Sequence, residues 1–344
     1  MTRLQLTALT LLAVIFAIGL AYASVELPLA VSGWLMGALE FPGYDSGREA
    51  EATEAFVVAH AIRPIGCAAL VVTLLLMAVG LVAGRRRLAL AGAVAFFLPV
   101  FGHFAASMFF LAGLGALRIG WLPILDVSYG AMSLADVAYV PYAAVVWAAA
   151  LIGLDLRDAV AWAAMTAGLA VFTVAVVAWF VARARGAEVA DLSLYRLSRH
   201  PQYLGWILWS WGLMVYVGRH SQLYHFKISW GIGSSLPWAV STAVVVGVAL
   251  LEEIQMRGRA GASYDAYRLQ APFLLPLPRP VSAVAAAPMR WLLRAPWPRS
   301  GAEVALVAAL YLALVVVLSL PLVLTGWPAP TGWWGFPSNV WPFR

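Results

Sequence analysis

The sequence predicts an all-α, polytopic integral membrane protein with about eight transmembrane helices. Hydrophobic residues make up 63% of the chain and charged residues only 11%, whereas soluble domains carry about 25% charged residues. Several nearly uncharged runs exceed about eighteen residues, which is long enough for a helix to cross the hydrocarbon core. These Ala, Leu and Val runs lack the alternation of membrane β-strands, and helices satisfy their own backbone groups in lipid.

Candidate spans are distributed along the whole chain, at 4–24, 56–83, 88–117, 136–154, 159–182, 202–218, 236–251 and 302–326. Residues 40–54 form an acidic, turn-rich connection between the first two spans. Residues 257–299 combine arginines with prolines, a composition typical of short helices along the membrane surface. The tail 326–344 has the tryptophans and prolines of a segment at the membrane interface.

Arginine-rich loops predict the orientation, because short cytoplasmic loops carry an excess of Lys and Arg. The loop at 85–87 and the loop at 183–199 should therefore both face the cytoplasm, together with the N-terminus. Three candidate spans separate these loops, which would place them on opposite sides of the membrane. Either 88–134 hides two crossings, or one of the spans is re-entrant.

Charge and cysteine content exclude several classes of function. The net charge of +6 is small and is explained by loop arginines, and no basic stripe with interleaved aromatic residues indicates nucleic-acid binding. The single cysteine, Cys67, excludes an intrachain disulfide and a cysteine-based metal cluster. We expect neither a nucleic-acid partner nor a metal site.

Two polar segments flank a pair of apolar spans in the second half of the chain. Residues 193–205 read S-L-Y-R-L-S-R-H-P-Q-Y-L-G, and residues 251–270 read L-E-E-I-Q-M-R-G-R-A-G-A-S-Y-D-A-Y-R-L-Q. A cationic loop can hold a carboxylate through charge-assisted hydrogen bonds, and a glutamate can hold an ammonium group. A helical hairpin would bring both segments to the same membrane face.

This arrangement resembles the isoprenylcysteine carboxyl methyltransferase and phospholipid methyltransferase superfamily, with its R-H-P-x-Y-x-G, helical hairpin, E-E and G-x-x-Y-x-x-Y pattern. The resemblance covers about a quarter of the chain and implies a methyltransferase that uses S-adenosylmethionine on a lipophilic small-molecule or lipid acceptor. It implies that the cofactor is bound by Tyr195, Arg199, His200, Pro201, Tyr203, Gly205, Glu252 and Glu253. Gly261, Tyr264 and Tyr267 fill the downstream segment.

The resemblance also divides the chain into three parts. Residues 156–285 would form a methyltransferase-like core with the cofactor site. Residues 1–155 would form an N-terminal helical module with an acceptor-binding or structural role, since Asp155, Arg157 and Asp158 interrupt the apolar pattern there. Residues 286–344 would contain an amphipathic segment, the last span and a Trp-rich tail.

Methyl transfer from a sulfonium depends mainly on positioning and water exclusion, so an acid or base has a minor role. Our candidates for catalytic residues are Tyr264, Glu253 and Arg268. Gln270 stands where the carboxyl methyltransferases commonly have an arginine, which weakens a carboxylate as the acceptor unless Arg268 substitutes. Intramembrane ionisable groups generally indicate function, so we expect an acceptor site that includes His60, Arg63, His103 and Gln270.

Two other functions remain open. A membrane reductase of the sterol-reductase type, dependent on NADPH, would use a related helical hairpin. A transporter is the non-enzymatic alternative, although transport folds often show internal repeats and none is evident here. We expect the protein in a prokaryotic inner membrane, with the cofactor site facing the cytoplasm.

Overall fold

The computed structural model describes residues 2–38, 62–101, 116–220 and 234–325. These ranges are helical and contain no strand, which confirms the all-α membrane class. Their α-helices are α1 (Arg3–Ala38), α2 (Ile62–Val82), α3 (Arg86–Phe101), α4 (Leu122–Val127), α5 (Val140–Ala150), α6 (Arg157–Ala184), α7 (Pro201–His220), α8 (Ser235–Gln270), α9 (Arg279–Leu293) and α10 (Gly301–Leu324). Short 3-10 helices lie at Ala116–Trp121, Tyr129–Ser133, Asp136–Tyr139 and Ser193–Arg196.

Five helices of the described ranges, α1, α2, α6, α8 and α10, contain segments long and apolar enough to cross a membrane. Large apolar side chains on their outer surfaces are exposed, among them Ile15 on α1, Leu75 on α2 and Leu318 on α10. Such a continuous apolar surface is unusual for a soluble protein and suits contact with lipid. The bundle is therefore that of an integral membrane protein.

The two ends of the bundle can be told apart by contacts between helix termini. At one end, here called the site end, α10 begins at Gly301 against the carbonyl groups of Leu81 and Val82 at the end of α2. At the opposite end, Ser235 at the start of α8 donates to Asp136 over 2.7 Å. Near the end of α10, Ser319 Oγ accepts from the backbone N–H of Val137, which lies in the same 3-10 helix as Asp136.

Two of the described helices between the arginine-rich loops, α3 and α6, run from one end of the bundle to the other. Helix α5 has 11 residues and is about 16 Å long, which is too short to span a bilayer. Asp136, before α5, lies at the opposite end of the bundle. The start of α6 also lies there, because Trp162 on α6 contacts Tyr216 near the end of α7. The prediction of a crossing at 136–154 is therefore wrong. Because α3 leaves the site end and α6 returns to it, both arginine-rich loops lie at the site end.

Close packing of α6 against α7 fixes the start of α7. A Cβ atom added to Gly205 would lie 2.5 Å from Phe172 N, and one added to Gly212 would lie 2.7 Å from Met165 N. Only glycine allows the two backbones to approach so closely. Pro201 is the first residue of α7, a position where its missing N–H costs nothing. The residues before Pro201 are thereby held at the site end.

We predict that Gly205→Ala lowers the free energy of unfolding by about 1–3 kcal/mol, because the added methyl group overpacks the α6–α7 contact. Gly258→Ala is the matched control, because a Cβ there has no atom within 4 Å and alanine favours helix. Thermal unfolding of the purified variants in detergent measures the difference. An equal loss of stability in both variants would contradict the packing role of Gly205.

Candidate functional site

Two segments meet at the site end, the loop before α7 and the second half of α8. The break in α8 is at Gly261, whose φ of +49° is in the left-handed region that favours glycine. Beyond this break the chain turns back, so that Tyr267 donates to the carbonyl of Tyr195 over 2.6 Å. The Arg199 N–H donates to the carbonyl of Pro272 over 2.9 Å. The two segments predicted to converge are therefore in direct contact.

Glu253 is the centre of a buried cluster of charges. Its Oε2 accepts from Arg199 Nη1 at 2.5 Å, and its Oε1 lies 2.9 Å from His200 Nε2 and accepts from the Tyr264 hydroxyl at 2.6 Å. Arg268 Nε lies 3.0 Å from Oε2 as an ion pair, without the alignment of a hydrogen bond. A carboxylate that is 3% exposed is stable only with such partners.

Glu252, the preceding residue, has a different environment. Its Oε1 accepts from the Tyr203 hydroxyl at 2.8 Å and from Arg86, the first residue of α3, while Oε2 lies 3.6 Å from His200 Nδ1. The Glu252 side chain is 27% exposed, against 4% for Glu253. Glu252 can therefore contact a ligand, whereas Glu253 cannot do so without breaking its internal pairs.

His200 bridges the two carboxylates. Burial disfavours its charged form, but the hydrogen bond to Glu253 and the negative charges of Glu252 and Glu253 outweigh the burial and raise the pKa of His200 above its ordinary value. For Arg199 burial has the larger effect and lowers the pKa, partly offset by the charge of Glu253. As an imidazolium, His200 can donate from both ring nitrogens, which holds the glutamates in place.

Aromatic rings cover the cluster on one side. The Arg199 guanidinium lies 5.3 Å from the ring centroid of Trp297 and 5.7 Å from that of Phe273. The Arg268 guanidinium lies 4.9 Å from the Trp297 centroid, and Phe273 packs edge-on against His200. These contacts are within cation–π range. They also exclude water, which strengthens the ion pairs underneath.

A cavity of about 440 Å³ opens beside Glu252, within the usual size range of small-molecule sites. Its wall is formed by Arg86, Trp179, Ala182, Arg183, Ala187, Glu188, Val189, Ala190, Tyr195, Arg199, His200, Gln202, Tyr203, Glu252, Gln255, Met256, Arg259, Tyr264 and Tyr267. Guanidinium groups and aromatic rings dominate this wall, with two carboxylates among them. The described residues contain no cluster of three His, Cys, Asp or Glu side chains that could hold a metal ion.

Most of the residues predicted for the cofactor lie at this cavity. Its wall includes Tyr195, Arg199, His200, Tyr203, Glu252 and the catalytic candidate Tyr264. Glu253 and Arg268 lie behind the wall, in the buried cluster. Pro201 and Gly205 are placed in the helix start and in the α6–α7 contact, so they position the loop and do not line the cavity.

Of the predicted acceptor residues, Arg63 and Gln270 are described by the structure, and neither lines this cavity. Arg63 forms an ion pair with Asp126, with Nε 2.9 Å from Oδ2, at the opposite end of α2 from Val82. That end is about 28 Å away along the helix, so Arg63 is not part of the cavity wall. Gln270 is exposed at the end of α8 and is not part of the cavity wall. His60 and His103 lie outside the described residues.

Several residues of the wall were not predicted as site residues. Arg86 reaches Glu252 from the N-terminal module, and Trp179, Arg183, Glu188 and Arg259 come from the end of α6, the following loop and α8. The signal for Arg86 was present in the sequence, since its loop was assigned to the same membrane face as the motif. Only the folded chain shows that it contacts Glu252.

A family model described as a protein of unknown function (DUF1295) matches residues 181–271. The matched segment is about a quarter of the chain and contributes most of the cavity wall. This family is associated with steroid 5-alpha reductase-like membrane proteins, and the match does not establish the resemblance to the methyltransferase superfamily. A search of the curated proteins and a search of the solved structures each found no match.

The raised pKa of His200 predicts a pH-dependent stability. The contribution of the His200 imidazolium to the free energy of unfolding should be complete below the pKa of the unfolded state, about 6.5. It should be lost as the pH rises through the higher pKa of the folded state. The difference in unfolding temperature between the unmodified protein and His200→Gln should therefore be largest in mild acid and shrink in alkaline buffer. Thermal unfolding in detergent over a pH series measures it, and a difference that does not change with pH would contradict an imidazolium in the folded protein.

Proposed function

We propose that the protein is an integral membrane methyltransferase that uses S-adenosylmethionine to methylate a small lipophilic or lipid-like acceptor. The observation that carries this proposal is the partly exposed carboxylate of Glu252 on a cavity wall rich in aromatic rings. A ligand with a cationic centre and an aromatic base suits such a wall. The resemblance of the R-H-P-x-Y-x-G and E-E segments supports the same choice.

The groups of the cavity fit the charges of S-adenosylmethionine. Glu252 can accept from the ammonium group, since part of its side chain is accessible. Arg199 Nε is buried and has no hydrogen-bond acceptor among the described residues, so the ligand carboxylate can supply one. The rings of Tyr195 and Tyr203 on the wall can stabilise a cation and stack on a base. Glu253 stays with Arg199 and His200, so its role is to hold them in position.

The contribution of the protein would be positioning and exclusion of water. When bound, S-adenosylmethionine supplies a methyl group on a positively charged sulfur, which leaves as a neutral thioether. The buried pairs around Glu253 fix the loop that faces the ligand, and an oriented, dry site accounts for much of the acceleration of such displacements. The Tyr264 hydroxyl donates a hydrogen bond to Glu253, so its role here is to hold the carboxylate in position.

The place of the cavity suits an acceptor from the bilayer. Both arginine-rich loops lie at the site end, which the positive-inside pattern assigns to the cytoplasm. A soluble cofactor would then enter from the cytoplasm of a prokaryotic cell, and a lipophilic acceptor would enter between the helices.

The test is a calorimetric titration of the purified protein with S-adenosylmethionine. We predict that Glu252→Gln raises the Kd about tenfold, because it removes a charge-assisted contact to the ammonium group. Asp191→Asn is the matched control, since Asp191 is a nearby exposed carboxylate that is not part of the cavity wall. Absence of binding to the folded protein, or equal binding by Glu252→Gln, would refute the proposal.

A reductase of the sterol-reductase type is the second candidate. It is favoured by the guanidinium groups of Arg86, Arg183 and Arg259 on the cavity wall, which suit phosphate groups, and by the association of the matched family. In the same titration, binding of NADPH without binding of S-adenosylmethionine would select this function. An Arg183→Gln and Arg259→Gln double variant should then weaken NADPH binding by at least about tenfold.

A further inference from the structure

A second cavity, of about 180 Å³, lies on another face of α8. The first cavity uses one helical stripe of α8, formed by Glu252, Gln255, Met256 and Arg259. The second uses the neighbouring stripe, formed by Leu250, Glu253, Ile254 and Arg257, and adds Arg268, Trp297, Pro298 and Arg299. Residues three and four apart share a helix face, so the two stripes point in different directions. The buried Glu253 cluster separates the two cavities.

The second cavity has an excess of positive charge. Three guanidinium groups line it, those of Arg257, Arg268 and Arg299, and its one carboxylate is that of Glu253. Glu253 is shared by three cationic partners, Arg199, His200 and Arg268. One oxygen of Asp265 is shared by Arg257, at 3.1 Å, and Arg268, at 3.3 Å. Positive charge is therefore left over for a ligand.

Arg299 supplies much of this excess. In the part of the chain that the structure describes, its guanidinium pairs with no carboxylate, although its backbone N–H donates to Glu303 over 2.6 Å. Ser300 caps α10 by accepting from the Glu303 N–H, so the N-terminus of this helix lies next to Arg299. The N-terminus of α10 is itself capped by Ser300 and by the Glu303 carboxylate, so the guanidinium of Arg299 is the group left for an anion.

The cavity lies beside the start of a membrane-spanning candidate. Helix α10, which begins two residues after Arg299, is one of the apolar membrane-spanning candidates. The preceding helix α9 exposes Val284 and Trp291, at 74% and 79%, together with basic residues such as Arg290. An amphipathic basic helix with an exposed tryptophan is typical of the membrane interface. The guanidinium groups of the cavity therefore lie where lipid phosphates are abundant.

From this arrangement we infer that the second cavity binds the phosphate group of an anionic lipid. Arg257 and Arg299 contact the phosphate at the mouth of the cavity, and Arg268 lies deeper, against Trp297. Guanidinium groups suit phosphate because they donate several hydrogen bonds in one plane. The cavity is too small for the cofactor proposed above, and the inference does not depend on the methyltransferase function.

Native mass spectrometry of the purified protein tests the inference with defined ligands. Phosphatidylglycerol should bind at least about tenfold more tightly than diacylglycerol, which has no phosphate. The double variant Arg257→Gln with Arg299→Gln should lose most of this preference. Arg290→Gln is the matched control, because Arg290 is an exposed arginine of the same surface that does not line the cavity.

Glycerol phosphate identifies the source of the phosphate. Displacement of phosphatidylglycerol by glycerol phosphate would assign the site to a soluble phosphate ester, and lack of displacement would assign it to the lipid. The inference is overturned if the double variant keeps the preference, or if Arg290→Gln loses as much, since diffuse surface charge would then explain binding. Should the double variant not fold, the single variant Arg299→Gln answers the same question, because Arg299 is exposed.

Discussion

The ion pair between Arg199 and Glu253 is the interaction on which both cavities depend. The two side chains are 3% and 4% exposed and lie 2.5 Å apart. Removing two charges from water is costly, and loss of one partner from such a pair typically destabilises a protein by about 3–5 kcal/mol. Here the cost is offset by His200 and Tyr264, which saturate the other carboxylate oxygen. The cluster forms a rigid wall with a cavity on either side.

Adjacent glutamates on one helix have different roles because consecutive residues point about 100° apart around the axis. Glu253 faces the interior, where its charge is neutralised, and Glu252 faces the first cavity, where part of it is accessible. The sequence motif contains both residues without distinguishing them. His200 lies between the two carboxylates and pairs with both, so one imidazole faces both the charge on the cavity wall and the buried charge.

Much of the fold could be predicted because the apolar runs are long and the start of α7 is marked by Pro201. The convergence of the two polar segments could also be predicted, because a hairpin of two spans returns to the same face. The failure of α5 to cross the membrane could not be predicted, because hydropathy does not show that the chain enters and leaves a short apolar helix on the same side. The ion pair of Arg63 with Asp126 could not be predicted either, because the two residues are distant in sequence. Trp297 was missed for the same reason, since its contact with Arg199 joins segments almost a hundred residues apart.

The contact between Arg86 and Glu252 has a consequence for how such proteins can diverge. The acidic residue belongs to the segment matched by the family model, and the guanidinium belongs to the first residue of α3, far outside that segment. Relatives that keep the R-H-P and E-E segments but replace the arginine at the start of α3 would present a more acidic pocket to their ligand. Ligand preference would then shift between lineages without any change in the matched quarter of the chain, and short motifs would group proteins whose chemistry differs.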